Sequence, residues 1–219
     1  MAKVLVIGDT HAPAMHRDYI KFLNKVRKKW KTTQVVHIGD VLDHHCCSFH
    51  DKHPENPGAS MESKLAQKQI DKLYSEFPKA TVCIGNHDAR IHRLNASVGI
   101  PSLYLKEFNG LYATHGWNWV NSTTIDGVYY YHGEGAGGRH PSFSAAKMRM
   151  ESVVCGHYHS SAGIWWQAGP TTKVFGMNVG CGVDRSHWAM AYGGAFLKKP
   201  ILSCGVVIDG YPYLEVMEL

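Results

Sequence analysis

The sequence predicts one α/β domain over residues 1–219, made of two packed sheets with helices outside them. Three observations lead to this reading. Residues 1–85 alternate short apolar runs ending in glycine with two segments of helical periodicity. Residues 111–216 hold short apolar runs separated by Gly-rich turns, with little helical pattern. At 24.4 kDa the chain is large enough to bury about 70% of its unfolded surface, so a core requires no disulfide framework or partner.

In order, Lys3–Gly8 reads as a buried strand, four apolar residues followed by glycine. Ile20, Leu23, Val26 and Trp30 form one face of a helix. Gln34–Gly39 is a second strand, and residues 44–60, polar and with two prolines, form a long loop. Ala66, Ile70, Leu73, Tyr74 and Phe77 mark the next helix, stopped by Pro78, and Ala80–Gly85 is the third strand. This order implies parallel strands joined by right-handed crossovers. Beyond it, strands are expected at Leu111–Thr114, Val128–Tyr131, Ser152–Cys155, Ile164–Gln167, Thr172–Phe175, Ile201–Ile208 and Tyr213–Val216. Ser144–Met150 is the one helix expected there.

Hydrophobic residues make up 44% and charged residues 19%, which excludes a disordered or collagenous chain. No run approaches the ~20 apolar residues of a membrane span, and Val4–Ile7 is too short and too early for a secretory leader. The six cysteines form no C-x-x-C pair, and three lie in or beside apolar runs, which suits reduced thiols in the cytoplasm. The net charge is +5, and Arg17, Lys21, Lys25, Arg27, Lys28, Lys29 and Lys31 crowd the first helix with only Asp18 opposing them. A solvated outer face is the plain reading of that cluster, and a nucleic-acid patch the alternative. Histidine is unusually abundant, at 15 residues.

Many of these histidines fall just after strands, together with carboxylates. Gly8-Asp9-Thr10-His11 follows the first strand, Gly39-Asp40-Val41-Leu42-Asp43 the second, and Gly85-Asn86-His87-Asp88 the third. His132-Gly133 and Gly156-His157-Tyr158-His159 follow later strands. Ligands of open α/β sheets bind at such carboxyl ends. Asp-x-His alone is uninformative: this composition yields about 0.7 by chance, and three are present. Gly-Asn-His-Asp/Glu is expected only about 0.005 times and Gly-His-x-His about 0.1 times. The ordered set, each member after a strand, is specific.

From Asp9 to His159 the chain resembles the calcineurin-like metallophosphoesterase family, whose pattern is D-x-H, G-D-x-x-D, G-N-H-[DE], a lone His and G-H-x-H. The resemblance implies a four-layer α/β/β/α sandwich of two mixed sheets flanked by helices, with two divalent metal ions at the sheet edge. One ion would take Asp9, His11, Asp40 and His159. The other would take Asp40, Asn86, His132 and His157, with Asp40 bridging. A metal-bridging hydroxide would attack phosphorus, and His87, held by Asp43, would be the catalytic imidazole. The donor types independently suit manganese, iron, zinc or nickel and disfavour calcium or a thiolate site. Two dications against Asp9, Asp40 and one hydroxide leave a residual positive charge for a phosphate. His115 competes with His132 as the lone histidine, since Thr114-His115-Gly116 has a similar setting. His132 is preferred for its 25-residue distance from His157, and His115 is then a strand-end or substrate-cleft residue.

The pattern departs from Ser/Thr protein phosphatases, in which Asp-Arg-Gly and a terminal Glu stand where this chain has Asp43-His44-His45 and Asp88. With His87 present, general-acid catalysis on monoesters and poor leaving groups stays available. The positive charge, the aromatics and the compact form, which looks like bacterial and phage-encoded members, point to a nucleotide or nucleic-acid phosphoester. The alternatives are a phosphatase of a non-nucleotide small molecule and an inactive phosphoesterase-fold scaffold that binds a partner. Arg90 and Arg93 could reach a substrate phosphate or lie on a helix surface, and Arg139 could cap a Gly-rich anion nest at 133–138. Asp88 is read as a helix N-cap, with support of the metal ligands from behind as the alternative. Trp117, Trp119, Trp165, Trp166 and Trp188 are read mainly as packing residues and secondarily as a base-stacking platform. The loop with His44, His45, Cys46, Cys47, His50 and His53 matches no zinc spacing and is read as a lip of the cleft.

Overall fold

The computed structural model describes residues 2–48, 57–188 and 197–218. The first sheet holds β1 (Lys3–Ile7), β2 (Gln34–His37), β3 (Ala80–Cys83) and β4 (Trp117–Val120), all parallel. β10 (Ser203–Ile208) adds antiparallel to β1, and β11 (Tyr211–Val216) to β10. In the second sheet β6 (Val128–Tyr131), β7 (Ser152–Cys155) and β9 (Lys173–Asn178) are parallel. β5 (Ser122–Ile125) and β8 (Gly163–Ala168) close its edges antiparallel.

Side-chain alternation along the strands makes the layers. Val4 and Val6 of β1 pack toward the second sheet with Val36, Ile38, Tyr130, Val154, Phe175 and Met177. Leu5 and Ile7 face the other way, against α1 (Tyr19–Trp30) and α2 (Ala59–Glu76) through Leu23, Val26, Ile70 and Leu73. On the far side of the second sheet, α5 (Pro141–Arg149) lays Ala145 and Ala146 on Val153. Period two thus produces the four expected layers: helices, sheet, sheet, helix. Among the described residues no helix is long and apolar enough to cross a membrane.

The middle of the chain corrects the sequence reading. Leu111–Thr114 is not a strand: α4 (Phe108–Leu111) ends there, and turns follow. The strand lies at β4, where Trp117 and Trp119 share a face and pack on Tyr74, Phe108 and Tyr112. α3 (Arg90–Ser97) is an additional helix; it buries no residue, and its apolar pattern is confined to Ile91 and Leu94 within eight residues, too short a stripe to read. β5 is also additional. Asp126-Gly127, both at positive φ, makes its two-residue turn into β6, a hairpin signal present in the sequence. α2 starts at Ala59, inside the expected loop. Residues 49–56, with His50 and His53, lie outside the described residues.

Close approach of α5 to β9 depends on Gly176, where a Cβ would overlap the backbone of Ser142 and Phe143. Gly176→Ala is expected to lower unfolding free energy by about 1–3 kcal/mol, the usual cost of overpacking, as read by urea denaturation.

Candidate metal centre

Parallel strands in both sheets present their carboxyl ends at one edge. β1 delivers Asp9 and His11, β2 delivers Asp40 and Asp43, and β3 delivers Asn86 and His87. β6 delivers His132, and β7 delivers His157 and His159. His132 joins the sheets: its Nδ1 donates to the Ile38 carbonyl (3.2 Å), and its own carbonyl accepts from Gly156 N–H (2.8 Å).

The backbone is bent to aim these groups. His11, Asp40 and His157 have φ of 44°, 49° and 67°, a left-handed conformation that costs a non-glycine residue roughly 1–2 kcal/mol. Strain of this kind collects at functional sites. Gly39 and Gly133 have positive φ. Gly85 and Gly156 do not; they are needed because a Cβ would collide with Asp40 Oδ1 and Asp9 Oδ1 respectively.

Donor atoms converge in three overlapping groups: Asp9, His11 and His159; His11, Asp40 and His87; and Asp40, His132 and His157. Within each group the atoms lie within 4.8 Å of one another. Asp40 Oδ2 stands 3.5 Å from His11 Nε2 and 3.2 Å from His132 Nε2. Asp40 Oδ1 accepts from His87 N–H (2.8 Å). Asp9 Oδ2 accepts from His157 N–H (2.9 Å) and lies 3.0 Å from His159 Nε2, while Asp9 Oδ1 is buried without a partner.

This geometry fits divalent cations. His11 Nδ1 is held by Asp43 (2.8 Å) and His132 Nδ1 by Ile38, so both Nε2 atoms turn lone pairs inward. His11 Nε2 meets His159 Nε2 at 3.2 Å. His132 Nε2 meets Asn86 Oδ1 at 2.9 Å and His157 Nδ1 at 3.1 Å. His11 Nε2 also faces Asp40 Oδ2, and His132 Nε2 faces both Asp40 Oδ2 and Asn86 Oδ1; these acceptors facing acceptors call for positive charge between them. In the protein alone a proton answers that demand: burial opposes charge on His132, but Asp40 together with Asp9 and Asp88 outweighs it and lifts the imidazole to about 10. Burial likewise opposes ionisation of Asp40, yet His132 and His87 hold its carboxyl well below the usual range.

His87 Nδ1 lies 2.8 Å from the Asp43 carbonyl and 3.1 Å from Asp43 Oδ1. Burial disfavours its charged form, but Asp40 and Asp43 raise its pKa above the ordinary value. Arg90 reaches inward rather than to solvent. Its NH1 donates to the Asp43 carbonyl (2.7 Å), and its NH2 lies 3.0 Å from His87 Nε2. Arg93 donates to the Asn86 carbonyl (2.8 Å). Arg139 is exposed on the loop after β6.

Two further expectations are corrected. His115 is exposed at the amino end of β4, opposite to the edge that carries the cluster, because β4 runs parallel to β3; it therefore does not border the cleft. Asp88 is not a cap. The position before α3 is Ala89, and the fully buried Asp88 carboxylate accepts from Leu42 N–H and Gly85 N–H, tying the β2 and β3 loops together. Burial, then Asp40, raises it to about 7. Of the tryptophans, Trp166 alone is strongly exposed and Trp117 is buried.

Sequence reasoning missed three supporting side chains. His37 is buried under the cluster, accepting from Gly39 N–H (3.2 Å) and meeting Thr10 Oγ1 (3.2 Å), which donates to the Val41 carbonyl. Glu62 accepts from His45 and Cys46 N–H (2.6 and 2.8 Å) and so holds the 3-10 turn His45–Cys47. Tyr112 bonds His44 Nε2 (3.0 Å), whose Nδ1 meets the His87 carbonyl (2.9 Å). A histidine within an otherwise apolar strand was a readable signal for His37; for Glu62 and Tyr112 there was none.

An α/β/β/α sandwich with buried carboxylates and imidazoles converging at the carboxyl ends of its strands is a metal-site fold. Residues 2–180 match the family model described as calcineurin-like phosphoesterase, and the chain belongs to that family. Similar solved structures include a single mutant of Vps29 from Entamoeba histolytica, at 15% identity and TM-score 0.42, covering 99% of both chains. Another is YfcE, a phosphoesterase from E. coli, at 14% identity and TM-score 0.45, covering 94% of this chain and 88% of that one. Nuclease MPE from Pseudomonas putida is 12% identical with TM-score 0.41, covering 97% and 87%. No curated protein sequence matches the chain.

Burial lowers the His37 pKa from 6.5 to about 4. The folded state therefore resists a proton that the unfolded chain accepts, so His37 stability is complete above pH 6.5 and falls as pH drops toward 4. That loss amounts to about 3 kcal/mol. Between pH 7 and 4.5, wild type should lose more unfolding free energy than His37→Asn, as measured by denaturant titration.

Proposed function

We propose that the chain is a dinuclear metal-dependent phosphoesterase acting as one domain over residues 1–219, with a phosphomonoester or phosphodiester of a nucleotide or nucleic acid as substrate. The observation that carries this reading is Asp40 Oδ2, which stands between His11 Nε2 and His132 Nε2 and so offers one carboxylate to two half-sites. Asp9, His11, Asp40 and His159 would hold one ion; Asp40, Asn86, His132 and His157 would hold the other. Divalent cations bound there supply charge for phosphate oxygens and ready hydroxide near neutral pH.

The chain's own residues do the rest. Asp43 binds His11 Nδ1 and His87 Nδ1 through the same oxygen, Oδ1, so one carboxylate orients a ligand and the acid together. With Nδ1 so held, His87 in its protonated form presents Nε2–H toward the cleft, where it can pass the proton to a leaving oxygen. That proton also displaces Arg90 from Nε2 and frees its guanidinium for a phosphate oxygen. Four buried and two half-buried free cysteines support a reducing, cytoplasmic setting. The donor set is complete, which argues against an inactive scaffold.

Manganese-loaded protein is expected to hydrolyse bis-p-nitrophenyl phosphate or p-nitrophenyl phosphate; turnover of neither would sink the reading. His87→Ala should slow an alkyl phosphoester about 100- to 10,000-fold, the usual range for a lost general acid. It should slow the nitrophenyl ester much less, because nitrophenolate leaves without a proton. Elemental analysis should find metal reduced in His132→Ala and unchanged in His115→Ala.

A further inference from the structure

We propose that the outer face of α1 is a docking track for single-stranded nucleic acid, beside the metal centre and distinct from it. The proposal concerns binding and goes beyond the hydrolytic reading without depending on it. Its basis is the segregation of charge. Residues 17–31 hold seven cations against Asp18 alone, a net +6, whereas the whole chain is +5. The other 204 residues together carry −1. All seven cations are exposed.

Helix electrostatics accounts for only part of this. Arg27, Lys28 and Lys29 sit in the last turn, where they complement the macrodipole. Lys21 lies near the start, where a cation is unfavourable, and the first turn contains no acid. Lys21, Lys25 and Lys28 follow the i, i+4, i+7 spacing of one helical stripe, and no ion pair engages them among the described residues.

The track is anchored at both ends. At its start, Tyr19 OH accepts from Gly8 N–H (3.1 Å) and donates to the Ser203 carbonyl (2.7 Å). This places the start of the helix beside the turn that carries Asp9. Twelve residues then run about 18 Å away from that edge. At its end, Trp30 packs on Tyr213, which is 39% exposed, with ring centroids 4.3 Å apart; Glu215 pairs with Lys29 there and accepts from Trp30 Nε1–H, leaving Lys21, Lys25 and Lys28 open to a phosphate. Cations along a backbone path with aromatic rings at one end form the arrangement on which single strands bind, phosphates on lysine and bases on rings. An anionic membrane fits less well: an interfacial helix sinks its apolar face into lipid, and here Tyr19, Leu23 and Val26 are committed to the core.

The test is fluorescence anisotropy of a fluorescein-labelled oligothymidylate with the full chain, with and without EDTA, over a range of salt. Binding is expected in both conditions and should weaken with salt. Lys21→Glu/Lys25→Glu/Lys28→Glu should lose roughly tenfold or more in affinity and flatten the slope of log K against log salt by about 2. The Lys→Gln version should shift the same way by less, and it decides the matter if the Glu variant melts early. Both should keep hydrolysis of bis-p-nitrophenyl phosphate. Absence of binding, equal binding by wild type and both variants, or binding only to phosphatidylserine vesicles would overturn the proposal.

Discussion

The molecule is organised around two carboxylates, Asp9 and Asp40, that are kept out of water with too little positive charge to match them. Both are essentially fully buried. Ionised carboxylates in such a place demand cations or dense hydrogen bonding. The structure supplies part of the answer: N–H donors from His87 and His157, and imidazoles from both sheets. The partnerless Asp9 Oδ1, and the imidazole lone pairs of His11 and His132 turned toward Asp40 Oδ2, mark what is still unsatisfied. A proton on His132 answers it in one way, and the proposed metal ions would answer it in another.

Much of the surrounding architecture serves that demand. Two sheets are stacked so that parallel strands from each end at the same edge and enclose the cluster from two sides. Backbone strain at His11, Asp40 and His157 is tolerated there because buried neighbours hold every turn. Gly85 and Gly156 let neighbouring backbone close directly on the carboxylates. Asp88, Glu62 and His37 secure the loops from beneath. Their hydrogen bonds go to backbone N–H groups and a hydroxyl and not toward the cleft. Asp43 links the two tasks, since one oxygen orients His11 for coordination and His87 for proton transfer.

The charge of the remaining surface is distributed in the opposite way. The centre gathers acid in the interior, whereas the base excess lies outside, on α1. Tyr19 connects the two regions, pinning the start of the helix to the Gly8–Asp9 turn.

The sequence makes legible the layered α/β fold, most of its strands, and the residues that meet at its edge. Those features are local: period-two burial, helical stripes, and short motifs that each follow a strand. It did not reveal α3, which buries nothing, or the weakly apolar β5, although Asp126-Gly127 marked the turn. His115 and His132 were alike in local sequence, each a His-Gly after a short apolar run; the 25-residue distance to His157 favoured His132, and the tertiary structure separates the two. His115 precedes the amino end of β4, away from the cluster, whereas His132 follows the carboxyl end of β6 at the cluster's edge, so one histidine joins the cluster and the other faces solvent. Asp88 and Arg90 show the same limit. Their distant targets, Leu42 N–H and the Asp43 carbonyl, are set by how the loops after β2 and β3 pack together, and no spacing along the chain encodes that distance.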